Sequence, residues 1–474
     1  MQHGPTLSGG APAPASGTAA VFGSHVLALV DGVQTVLRDH WVLVEGDRIA
    51  AVTPGRPAGA DRVLDRPGRF VLPGLMNLHN HCFSEAVART HTEDGAGRRN
   101  NQSIVYTVLL PLTKRGIEIL SRDERMAVAR LGILQLLKGG AATVMEPFRN
   151  GIPEMFDAAL EMGIRFYGAP YLFSGAAPQA DATGRVDYGT ADGGEADLRR
   201  WNDLHAAWEG RDRGRIRLAM SPHATDTCAP DLLRAAAGRA RELGAPITIH
   251  LAQSKAEVAT IAARHGGRTP AEYLDGLGLL GPDLLAAHCV DCSDADLDLM
   301  AARGASVLNC PRVFARAGTA AAFGRFAGRG LRTLVGTDGY NMDLLGELNA
   351  AATVSKLVSG RAEAASAPEL IGAVTHAAAA AIARPDLGAI RPGAKADLTV
   401  VDLSGPLTQP LHDPRRALVW LANRADLDAV MVDGRLLIAE GRATMVDEAA
   451  VTRAGAAAIA RIWDLPEARA AFAG

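Results

Sequence analysis

The chain has 474 residues, of which 48% are hydrophobic and 21% charged, with a formal net charge of −3. This is the composition of an ordinary soluble enzyme with a sizeable core, and without a basic excess nucleic acid and anionic membrane are excluded as expected partners. Five cysteines in so long a chain make no disulfide framework, and the odd count leaves at least one thiol free, which reads as a reducing compartment.

Residues 1–19 are rich in Gly, Ala, Pro and Ser and lack both a basic start and an apolar core, so they read as a flexible tail rather than a secretion signal. No uninterrupted apolar stretch reaches about eighteen residues, so no transmembrane helix is expected and the chain reads as cytoplasmic. From Ser24 to Leu72 short β-like runs (HVLALV, WVLVEGDRIAAV, RFVLP) are separated by turn signals, with Gly46-Asp47 as a hairpin turn.

After Pro73 the texture changes to strand-like runs alternating with Ala- and Leu-rich helical segments. The run ending at His81, then ATVMEP, IRFYGAP, IRLAMSPH, PITIH, LLAAH, ASVLNC and RTLVGTD, make eight strand candidates. Helical patterns follow most of them, such as DLLRAAAGRARELG from Asp231. Alternation of this kind implies parallel pairing, and eight repeats predict an α/β fold with a (β/α)8 TIM barrel over 73–387. Beyond Gly388 the β texture returns as ADLTVVDL and DAVMVDGRLLIAEGRAT, predicting a small composite β-sandwich from 20–72 and 388–445. The Ala-rich segment 446–474 reads as helical.

In such a barrel, functional groups sit at the carboxyl ends of strands. Five of the thirteen histidines fall at these ends: His79 and His81 on the first strand, His223 on the fourth, His250 on the fifth and His288 on the sixth. Asp338 closes the eighth. Alternation along a strand points His79 and His81 the same way. Borderline-soft imidazoles with one carboxylate suit Zn, Fe, Co or Ni better than Mg or Ca.

The runs LPGLMNLHNH, SPHATDTC, ITIHLAQ, AAHCVDCSD, VLNCP and VGTDG together resemble the amidohydrolase superfamily. The nearest likeness is the branch of cytosine and guanine deaminases and triazine hydrolases, with phenylurea and thiocarbamate hydrolases beside it. GAIRPGAKADLTVVDL resembles the return into that family's β-sandwich, so the likeness spans nearly the whole chain. The resemblance implies one divalent metal ion, zinc first, held by His79, His81, His250 and Asp338. Asp338 would also take the proton of the attacking water, and His288 would polarise the substrate. A second metal in this superfamily usually needs a carboxylated lysine on the fourth strand, and Arg215 to His223 contains none. His223, Gln253, Asn309 and Glu146 are the expected substrate-binding residues, the substrate is a small molecule, and relatives of this kind imply a homo-oligomer.

Three departures bear on chemistry. Deaminases of this branch usually carry a glutamate three residues after the fifth-strand histidine, and here that position is Gln253. An amide cannot relay a proton near neutral pH. HCVH is replaced by His288-Cys289-Val290-Asp291, and the motif after the seventh strand is Asn309-Cys310-Pro311-Arg312. The reading is therefore hydrolysis of an amide, urea, carbamate or thiocarbamate, with deamination or dechlorination of an aminated heteroaromatic ring as the alternative. A non-catalytic binding protein on the same barrel would lack stoichiometric metal. Cys82, Cys289, Cys292 and Cys310 read mainly as packing residues. Asp343 and Glu347 are expected to cap and support the loop after Asp338, and Tyr106, Leu109 and Leu110 to cover the pocket or an interface.

Overall fold

The computed structural model describes residues 17–83, 110–148, 152–175, 179–180, 186–187, 193–339, 341–466 and 468. Most of the expected tail, together with Tyr106 and Leu109, lies outside the described residues; Leu110 opens the helix Leu110–Ile119.

The N-terminal strands are β1 (Thr18–Val30), β2 (Val33–Glu45), β3 (Arg48–Thr53), β4 (Arg62–Leu64) and β5 (Arg69–Pro73). The first two are longer than the apolar runs suggested. Asp31 and Gly32 both adopt positive φ (49° and 80°), the geometry that reverses a two-residue hairpin in step with strand twist, so pairing extends from Val30↔Val33 to Thr18↔Glu45. Gly46, at φ 58°, turns β2 into β3 as expected.

The inner strands follow as β6 (Leu75–Asn77), β7 (Ala141–Phe148), β8 (Arg165–Leu172), a two-residue hairpin pair β9 (Gln179–Ala180) and β10 (Val186–Asp187), then β11 (Ile216–Leu218), β12 (Ser221–Pro222), β13 (Ile247–Leu251), β14 (Leu284–His288), β15 (Ser306–Asn309) and β16 (Arg332–Val335). Apart from that hairpin they pair in parallel as two sheets, β11-β8-β7-β6 with β12 on β8, and β13-β14-β15-β16. All eight positions of β7 and of β8 are buried, as expected of parallel strands covered on both faces. The two sheets meet at both edges. At one edge Met220 bridges Ile247 and Ala224 bridges His250; at the other Asn80 bridges Asp338, and the Asp338 amide donates to the His79 carbonyl at 3.0 Å. Inward side chains Met76, Met145, Tyr167, Ala219, Leu285, Leu308 and Leu334 pack into one cluster between them.

The C-terminal strands β17 (Leu398–Asp402), β18 (Leu427–Val432), β19 (Arg435–Ala439) and β20 (Arg442–Ala443) join the N-terminal ones in a nine-stranded sheet. β5 is the joint: it lies parallel to β1 and antiparallel to β17. Strands from the two chain ends therefore join in one hydrogen-bonded network. The physical reason is that β5 offers a hydrogen-bonding edge to each end of the chain.

A buried charge cluster ties this sheet to the start of β8. The Arg165 guanidinium, fully buried, donates to Asp397 at 2.8 and 2.9 Å and to Asp433 at 2.6 Å, and Lys395 reaches Asp433 at 3.1 Å. The last helix, Glu448–Trp463, is capped by Asp447, whose carboxylate accepts from the amides of Ala449 and Ala450. It packs on the helix Arg122–Lys138, where Gly455 leaves no room for a Cβ beside Leu131.

Candidate metal centre

The strand ends converge. Ligand atoms of His79, His81 and His250 lie within 4.8 Å of one another, as do those of His79, His288, Cys310 and Asp338. Asp338 Oδ1 is 3.3 Å from His81 Nε2 and 3.9 Å from His79 Nε2, and its Oδ2 is 3.6 Å from His288 Nε2.

Neighbouring backbone sets which nitrogen faces inward. His81 Nδ1–H donates to the Pro147 carbonyl at 2.8 Å, and His250 Nδ1–H donates to the His223 carbonyl at 2.8 Å. Each bond leaves Nε2 unprotonated and aimed at the cluster, the usual second-layer arrangement for a metal-binding imidazole. Both nitrogens of His79 and Nδ1 of His288 are buried with no hydrogen-bond partner among the described residues. Orphaned imidazole nitrogens beside a carboxylate, in a donor set of three imidazoles and one carboxylate, fit a borderline-soft divalent ion.

Burial lowers the pKa of His81 and of His250 to about 4, and holds His79 and His288 well below the ordinary histidine value, helped by the charges of neighbouring imidazoles. All four rings are therefore neutral near pH 7, as metal binding requires. Burial raises Asp338 to about 6, opposed by the His250 charge and the Gly339 amide. His288, Cys289, Asp338 and Ala252 all take positive φ, between 45° and 78°, so the strand ends that carry the site hold some of the chain's backbone strain.

The expected substrate-binding residues divide. His223 is buried, its ring stacked on Phe173 at 4.6 Å and edge-on to Tyr171 at 4.8 Å, while its carbonyl orients His250. Gln253 is half-buried on the loop after β13, and its amide donates to Glu257 at 2.9 Å. Glu146 needs correction: it is fully buried, with its carboxylate accepting from the amides of Cys82 at 3.0 Å and Phe83 at 3.3 Å. Those amides follow His81 and need an acceptor in a dry environment, so Glu146 braces the ligand loop instead of facing substrate. Asn309 donates through Nδ2 to the Ala321 carbonyl at 3.1 Å, and its Oδ1 is buried with no hydrogen-bond partner among the described residues.

Arg312 lies beside Asp343 and Glu347, at 3.7 and 3.9 Å, and its amide donates to Glu347 at 2.8 Å, so it serves the helix Pro311–Arg316. Asp343 caps the helix Leu344–Ser359, as expected. All five cysteines are free and buried. Burial, and then the Asp338 charge, push the Cys310 thiol well above its usual range.

Sequence reasoning did not single out Tyr171, Phe173, Glu257 or Phe314. Glu257 is buried four residues beyond Gln253, and accepts from Thr225 Oγ1 at 2.6 Å as well as from the Gln253 amide. Its spacing after Gln253 was the available signal. The aromatic residues carried none, because an aromatic on a buried strand reads as core.

Residues 70–437 match the model of the amidohydrolase family. The chain belongs to the amidohydrolase family. It is a hydrolase acting on carbon–nitrogen bonds. Among curated members it is 31% identical over 417 residues to a 5-methylthioadenosine/S-adenosylhomocysteine deaminase of Natronomonas pharaonis, covering 87% of this chain and 91% of that protein. It is 29% identical to a 5'-deoxyadenosine deaminase of Methanosarcina mazei, over 86% of this chain and 90% of that one. Among solved amidohydrolase structures, an adenosine deaminase from Xanthomonas campestris with bound zinc superposes with a TM-score of 0.83 at 25% identity, covering 96% of this chain and 100% of that one. Atrazine chlorohydrolase from Arthrobacter aurescens, complexed with zinc, superposes at 0.81 and 22% identity, covering 93% and 100%, a likeness of fold alone. These relatives shift the expected branch from cytosine and guanine deaminases toward adenosine-type deaminases. No helix among the described residues is long and apolar enough to cross a membrane.

Proposed function

We propose that this amidohydrolase is a zinc-dependent deaminase of an aminated heteroaromatic ring of the adenosine type. The observation that carries the metal chemistry is the convergence of His79, His81 and His250 on Asp338, with the ring tautomers of His81 and His250 set by backbone carbonyls. The adenosine-type substrate rests on the deaminase relatives, each aligned over about nine-tenths of its length. This replaces the amide and urea reading drawn from Gln253 as the first choice. We also read the two parallel sheets as one closed (β/α)8 barrel over 73–387, carried beside the shared β-domain of 20–72 and 388–445.

His79, His81, His250 and Asp338 would hold the ion, which supplies a Lewis acid that makes water a nucleophile near neutral pH. The chain's own groups do the rest. Asp338, raised to about 6, accepts the proton of the attacking water as its oxygen bonds to the amino-bearing carbon. His288, buried beside Asp338, donates to or steadies the ring nitrogen on which charge develops. The carbon–nitrogen bond then breaks, and the proton on Asp338 leaves with the amine as ammonia. Gln253 can hydrogen-bond the ring but cannot relay a proton, so Asp338 and His288 share the relay.

The second reading, hydrolysis of an amide, urea, carbamate or thiocarbamate, is favoured by that same Gln253. Ammonia release should be assayed on adenosine and 5'-methylthioadenosine beside a phenylurea and an anilide, with zinc present and after chelation. We expect zinc-dependent release from the purine nucleosides. Aniline from the phenylurea or anilide, with no ammonia from either nucleoside, would reverse the order of the two readings.

A further inference from the structure

We propose that Phe314 is a ring-stacking wall of the substrate site, selecting planar heteroaromatic rings over saturated ones; this rests on the deaminase reading above and extends it. The Phe314 ring centroid lies 4.9 Å from that of His288, at an interplanar angle of 64°. The other aromatic rings around the metal cluster are buried: Tyr171 lies 5.7 Å from His250 and 6.3 Å from His81, and Phe173 is stacked on His223. Phe314, by contrast, is only half-buried, beside the imidazole that would address the substrate. Exposed apolar surface there is unfavourable until a flat apolar partner covers it.

The helix carrying Phe314 is held in place. Pro311 opens it, the Arg312 amide donates to Glu347 at 2.8 Å, and the Arg312 guanidinium lies within 4 Å of both Asp343 and Glu347. Glu347 and Asp343 belong to the helix that follows Asp338, so the aromatic face and the catalytic carboxylate are positioned by one element. Tyr171 flanks the cluster from the end of the third barrel strand, and Phe314 from the helix that follows the seventh.

The test uses the zinc-loaded full chain, with hypoxanthine as the planar probe and dihydrouracil as the saturated one, both read by titration calorimetry. Phe314→Leu should weaken hypoxanthine binding about threefold to tenfold, leave dihydrouracil unchanged, and retain zinc content and melting temperature. Phe314→Tyr should restore hypoxanthine binding. Equal hypoxanthine affinity in the original protein and in Phe314→Leu, or no preference for hypoxanthine over dihydrouracil in the original protein, overturns the proposal. Ammonia release from adenosine scores the deaminase reading separately. Ring-dependent binding without release sinks only that reading, whereas release with an unaltered KM in Phe314→Leu sinks only the stacking role.

Discussion

Replacing Arg165 by methionine removes the cation at the centre of the buried cluster that joins β8 to the shared sheet. Arg165 makes three hydrogen bonds to two aspartates, at 2.8, 2.9 and 2.6 Å, and its side chain is 0% exposed, against 4% for Asp397 and 1% for Asp433. Without it, Asp433 keeps Lys395 at 3.1 Å, while Asp397 keeps only the Asp433 amide at 2.9 Å. One carboxylate is thus left buried without a hydrogen-bonded cation, with Arg215 interacting only through its charge. Breaking a buried pair from one side costs about 3–5 kcal/mol, most of it the burial of the abandoned charge. The assay is urea unfolding at fixed zinc on Arg165→Met, Asp397→Asn and the double variant. The double variant should recover roughly 0.5–3 kcal/mol relative to the sum of the singles. Arg165 starts β8 and Tyr171 nearly ends it, about 20 Å away at about 3.3 Å per residue, so zinc content and KM should not move. A single-variant loss below about 1 kcal/mol, or simple additivity, would refute the assignment of this cluster as a coupled clamp.

Glu146→Leu leaves the Phe83 amide without an acceptor and the Cys82 amide with only Asn80 Oδ1 at 3.3 Å, so zinc affinity should fall about tenfold to a hundredfold, read by competition with a chelator. Unaltered affinity would mean that the brace does not reach His81. Asp338→Asn should lower kcat by roughly 10² to 10⁴, and His250→Asn should lower the zinc stoichiometry measured by elemental analysis. Burial raises Glu347 from 4.5 to about 8, so between those values the folded protein holds a proton that the unfolded chain has lost. That contribution to stability is present at low pH and declines as pH rises through the window; Glu347→Gln should flatten the fall in melting temperature between pH 5.5 and 8.5. Gln253→Glu places a second carboxylate beside Glu257. If proton relay limits deamination, it should raise kcat and shift the acid limb of the pH–rate profile, and an unchanged profile would show that Asp338 and His288 suffice.

The proposed metal residues were legible because each stands near the end of a strand, where alternation and the parallel α/β pattern dictate the side to which a side chain points. His79, His81, His250 and Asp338 needed no tertiary knowledge beyond that. The substrate residues were less legible for a physical reason. A carboxylate such as Glu146 can face a pocket or satisfy buried amides, and the sequence is the same in both cases. Gln253 was visible as a departure from a motif, but its neighbour Glu257, hydrogen-bonded to Thr225 from another strand end, was visible only in space.

What the sequence by itself determined is the set of candidate metal-binding residues and the order of the strands that present them, since both follow from local periodicity and donor chemistry. Only the tertiary structure decided which nitrogen of His81 and of His250 faces inward, that Glu146 binds the Cys82 and Phe83 amides, and that Phe314 meets His288. Each of these depends on backbone groups or rings from distant strands coming within hydrogen-bond or stacking distance, and no local pattern encodes that proximity.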